Sequence, residues 1–132
     1  MVLKSINPTT GKLIKEYKEW DDKRVYDELE NCKNAFYKWR ETSLDKRVEL
    51  VNKIRKVLYE NKIEYSNLMT IEMGKPIKQA EAEIDKCIWL CNYYTENAKD
   101  FLNNEKIKTD ANLSYIQFSP IGLWSCIRIN YY

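Results

Sequence analysis

Four cysteines are the first candidates for chemistry: Cys32, Cys87, Cys91 and Cys126. Cys87 and Cys91 stand one helical turn apart, which sets their Cβ atoms about 5–6 Å from each other. A disulfide needs about 3.5–4.5 Å, so a bridge within the helix is disfavoured. A metal would need further ligands, and the chain contains no His to supply them. Both thiols lie on an apolar seam and read as core residues, with a redox or metal role as the alternative. Cys32, on the stripe of an earlier helix, reads the same way. Cys126 sits in an apolar run, where a thiol's pKa rises and its reactivity falls.

Carboxylates are the second candidates. Glu72, Glu81, Glu83 and Asp85 gather around Met73-Gly74-Lys75-Pro76. Glu81 and Asp85 are one turn apart, and paired carboxylates can divide the roles of acid and base. Lys75, Lys78 and Lys86 are interspersed among them, so a solvated, salt-bridged surface is the expected arrangement. Without His there is no Ser-His-Asp triad, no Cys-His pair and no imidazole base. Three glycines, in neither a GxGxxG nor a GxxxxGK[ST] pattern, leave no phosphate-cradling loop. Trp20, Trp39, Trp89, Trp124 and Tyr93-Tyr94 offer stacking surfaces for bases. Yet 22 basic and 20 acidic residues are spread evenly along the chain, so no nucleic-acid track is expected.

The elements that must hold these residues are mainly helices. Residues 2–6 and 12–17 flank Asn7-Pro8-Thr9-Thr10-Gly11, whose Pro and Gly preset a turn, and so form a β-hairpin. Asp21 caps a helix on which Val25, Leu29, Cys32, Phe36 and Trp39 make one apolar stripe, with Trp20 placed to staple onto Val25. Ser43 caps a second helix carrying Val48, Val51, Ile54 and Leu58. Asn61 marks a break before a third, which Gly74 and Pro76 stop. Ala80, Ile84, Cys87, Cys91, Tyr94, Ala98 and Phe101 alternate spacings of four and three in a fourth helix, ended by Asn103-Asn104. Residues 106–109 and 114–118 suggest a second hairpin. Leu123–Ile127 reads as a final buried strand.

A chain of 132 residues, 44% hydrophobic and 32% charged, suits one ordered domain. No apolar signal core opens it, and no run approaches the roughly 18 apolar residues of a membrane span. The expectation is a soluble, cytoplasmic chain with reduced thiols and no membrane partner. A buried, parallel-type strand needs neighbours on both sides, and no later segment supplies them. A truncated chain is therefore expected.

Several motifs together resemble the NAD(P)-dependent aldehyde dehydrogenase superfamily. Ile71–Pro76 is similar to its EMGKP segment, and Ile6–Gly11 to its opening INPxTG. Phe36, Trp39 and Arg47 follow its F-x-x-W…R pattern. Cys87–Ala98 is similar to a helix of the succinate-semialdehyde dehydrogenase branch, and Ser119–Gly122 to the PxG turn before the first strand of the cofactor domain. The resemblance implies an α/β enzyme, of which this chain is a mainly α-helical part with two short hairpins and a final buried strand. Residues 1–105 would be the N-terminal hairpin and helical wrap of the cofactor domain. Residues 106–119 would be the base of an oligomerisation arm, and 120–132 the truncated first strand of the cofactor-binding domain.

The family oxidises aldehydes through a Cys thiohemiacetal, with hydride passing to nicotinamide and a Glu base hydrolysing the thioester. This chain lacks the segments that carry the Cys, the Glu and the nucleotide loop. The four cysteines present do not match the nucleophile motif. Its tail, Arg128-Ile129-Asn130-Tyr131-Tyr132, departs from the family's P-W-N-F/Y-P, although Asn130 echoes the amide donor of the oxyanion hole. NAD or NADP is implied for the parent enzyme and no cofactor for this chain alone. The parent family forms homo-oligomers. The expected function is thus that of an aldehyde dehydrogenase fragment, inactive alone, with succinate semialdehyde as the candidate substrate of the parent. The rival expectations are a non-catalytic helical interaction module, and one half of a split dehydrogenase completed by a second chain.

Overall fold

The computed structural model describes residues 2–123. Two antiparallel strands, β1 (Val2–Ile6) and β2 (Leu13–Lys18), open the chain as the expected hairpin. Asn7 organises its turn. The side-chain Oδ1 accepts from the Thr9 and Thr10 amides at 2.9 and 3.1 Å, and the Gly11 amide donates to the Asn7 carbonyl at 2.8 Å. Gly11 takes φ 68°, a conformation glycine adopts without a Cβ clash. Ser5 pairs with Lys15 and Ile6 with Leu13, so Ile14 is the extra residue of a bulge. That bulge is why two apolar residues are adjacent where strict alternation would separate them.

Four helices follow: α1 (Asp22–Trp39), α2 (Leu44–Glu60), α3 (Lys62–Met73) and α4 (Ile77–Leu102). Their starts and stops obey local chemistry. Asp21 Oδ1 accepts from the Arg24 amide at 2.8 Å, and Ser43 Oγ from the Lys46 amide at 3.3 Å. Asn61 ends α2, its amide donating to the Val57 carbonyl at 3.0 Å, and α3 begins at the next residue. Gly74 closes α3 in the left-handed region at φ 67°. A second hairpin, β3 (Glu105–Lys106) and β4 (Tyr115–Ile116), is shorter than its sequence suggests, with two residues in each strand. The expected strand at 123–127 lies, apart from Leu123, outside the described residues.

The elements fall into two compact units. One joins β1, β2, α2, α3 and α4; the other holds α1, β3 and β4. In the first, α4 packs against both α2 and α3. Ala80 and Ile84 of α4 and Ser66 of α3 are its buried residues. Ser66 is an unforeseen core position: its hydroxyl donates to the Lys62 carbonyl at 2.7 Å, so its burial leaves no unpaired polar group.

Three apolar stripes differ from expectation. On α2, Ile54 is 55% exposed while Arg55 turns inward, where its Nη1 donates to Asn92 Oδ1 at 3.1 Å. On α4 the seam is covered through Ala80, Ile84, Cys87 and Cys91, but Tyr94 and Phe101 are exposed and contact each other edge-on at 6.4 Å. In the second unit, α1 has no buried residue at all. Its stripe lies open, with Phe36 alone half-buried. Trp20, just before it, carries the Arg24 guanidinium 4.2 Å over its ring.

Candidate functional site

The carboxylates that gather in the sequence do not converge on a shared proton. Glu72 accepts from Ser5 Oγ at 3.0 Å. Glu83 is paired with Lys75, and Asp85 with Lys62 at 2.7 Å. Three of the four acids thus have a separate basic or hydroxyl partner, and one of these partners, Lys75, is among the interspersed lysines. The charge pair with a resolved effect on acidity is elsewhere, on α2. Lys46 and Lys53 both donate to Glu49 at 2.7 Å, one on each side along the helix. Hydrogen bonding from Lys46, then from Lys53, lowers the Glu49 carboxyl from its ordinary 4.5 to about 2. All three side chains are exposed, so this is surface electrostatics and not a catalytic pair.

The cysteines divide. Cys87 and Cys91 are half-buried on the covered part of the α4 seam, and both are free thiols. Cys32, expected in a core, is exposed. The reason is the open stripe of α1: its spacing is that of a buried face, but nothing among the described residues of its unit covers it. Cys126 and Asn130, the sequence's oxyanion-hole candidate, lie outside the described residues. Among the described residues no three His, Cys, Asp or Glu side chains are placed to hold a metal. No helix among them is long and apolar enough to cross a membrane.

What the fold does bring together is the pair of segments that carry the family resemblance. Glu72 meets the hairpin across 67 residues of sequence through the hydrogen bond it accepts from Ser5. A Cβ built on Gly74 would stand 2.9 Å from Pro8 Cγ. Pro8 of the first motif therefore rests on the glycine of the second, and no larger residue fits there without displacement. Nothing in either local sequence signals this contact, because it is made by tertiary folding alone. The Lys75–Glu83 pair then ties the turn after Gly74 to the first turns of α4.

Two apolar hollows lie among the described residues. Between α2 and α4, a trough of about 370 Å³ is lined by Val48, Val51, Tyr94, Ala98 and Phe101 among others. In the other unit, Cys32, Phe36, Trp39 and Leu123 border a hollow of about 610 Å³. Neither has the convergent polar groups of a substrate site. Of the glycines, Gly11 serves the hairpin turn and Gly74 is closed by Pro8.

The aldehyde dehydrogenase family matches this sequence over residues 1–128. The chain belongs to the aldehyde dehydrogenase family. Among curated relatives, a probable NADP+ succinate-semialdehyde dehydrogenase of Synechocystis is 32% identical over 123 residues, which cover 93% of this chain and 27% of that protein. The NAD(P)+ succinate semialdehyde dehydrogenase Sad of Escherichia coli is 34% identical, over 89% of this chain and 26% of its own length. The solved structure of the Streptococcus pyogenes succinic semialdehyde dehydrogenase with NADP+ superposes with a TM-score of 0.80, at 27% identity, covering 86% of this chain and 25% of that one. This aldehyde dehydrogenase chain therefore spans about a quarter of the length of the relatives it matches. The hairpin, the four helices and the Pro8–Gly74 junction are its share of the α/β aldehyde dehydrogenase fold.

Proposed function

We propose that this chain is the N-terminal part of an NAD(P)-dependent aldehyde dehydrogenase of the succinate-semialdehyde type, and that it turns over no aldehyde by itself. One observation carries this reading. The similarity runs over residues 1–128 of this chain but amounts to 27% of the Synechocystis relative.

In this scheme residues 1–105 wrap the cofactor domain, 106–119 begin the oligomerisation arm, and 120–132 begin the cofactor-binding strand. Asn130 would stand near the oxyanion, where an amide N–H stabilises the charge that develops on the attacked carbonyl oxygen. NAD or NADP, and homo-oligomer formation, belong to the complete enzyme. A cytoplasmic location goes with this reading. The test is an assay of the purified chain with succinate semialdehyde and either NAD+ or NADP+, following reduced nicotinamide. No turnover above the protein-free rate is expected, and clear aldehyde-dependent reduction would overturn the proposal.

A further inference from the structure

We draw no further inference here: the strongest candidate, the apolar trough between α2 and α4 bordered by Val48, Val51, Tyr94, Ala98 and Phe101, is an unpartnered face, and nothing in the structure shows what covers it.

Discussion

Gly74 is the residue on which the described scaffold depends most directly. It ends α3 at φ 67°, and its missing Cβ leaves the room that Pro8 occupies. Gly74→Ala should cost about 1–2 kcal/mol for the left-handed backbone alone, with a further cost from the displaced proline ring. The two parts can be separated. In a Pro8→Ala background the steric part disappears and only the backbone part remains, so the double variant should lose less than the sum of the singles. Amide hydrogen exchange at the C-terminal turn of α3, which reads local stability without a cooperative melt, measures this; strict additivity would show that the contact is absent in solution. Glu49 makes a second prediction at this scale. Its carboxyl is lowered from 4.5 to about 2 by Lys46 and Lys53, so any stability it lends is full above pH 4.5 and is lost as pH falls toward 2. Because the pair is exposed, salt should screen it. A carboxyl-carbon NMR titration should find the Glu49 midpoint low in dilute buffer and higher in strong salt. A midpoint at the ordinary value in both would sink the assignment.

At the scale of elements, the helices differ in what holds them. The α3 and α4 pair contains Ser66 and Ala80, both with no exposed surface, so small side chains let the two helices close up. Helix α1 has eighteen residues, a capped start and no buried side chain. Most of the stability of a helix in a protein comes from packing its apolar face, and α1 has no such packing among the described residues. Hydrogen exchange should therefore rank α3 and α4 amides as slow and α1 amides as fast, by orders of magnitude. Equal protection would mean that the α1 stripe is covered in solution. This contrast bears on what the sequence could reveal. Caps and breakers are local chemistry, so Asp21, Ser43, Asn61 and Gly74 were legible as boundaries. Stripe orientation was legible only to within one residue: Val51, Ile54 and Leu58 fit helical spacing as well as Val51, Arg55 and Leu58 do. The structure takes the second set because Arg55 reaches Asn92 across the helix pair, and that partner is 37 residues away. Burial was less legible still. Cys32 and Trp39 sit at core spacing but are exposed, because periodicity records a face meant for packing and not the layer that packs on it. The acidic cluster was legible in part: Lys75 does pair with Glu83, but Asp85 pairs with Lys62 of α3 and Glu72 with Ser5, partners 23 and 67 residues away. The Pro8–Gly74 junction left no local trace.

For the whole molecule, the open faces govern behaviour in solution. Val25, Leu29 and Trp39 on α1 are each more than 40% exposed, and on α4 Trp89, Tyr94 and Phe101 are more than 45% exposed. Apolar surface of this kind, left uncovered by the described residues, drives association. The purified chain should sediment as polydisperse aggregates rather than as one species, and a sharp, cooperative monomeric melt would contradict this. A defined soluble oligomer would instead favour the helical interaction module as the better description. Substitution distinguishes surface stickiness from folding. Leu29→Lys adds a charge to the open stripe of α1 without removing a buried contact, so its effect on stability should stay within about 0.5 kcal/mol. Its effect on solubility should be larger, because one charge at the centre of an apolar patch must be desolvated before another chain can pack there. The expected result is a higher soluble fraction with helix content unchanged. If helix content falls and solubility does not rise, Leu29 is packed in solution, and the exposed stripe is not what drives association.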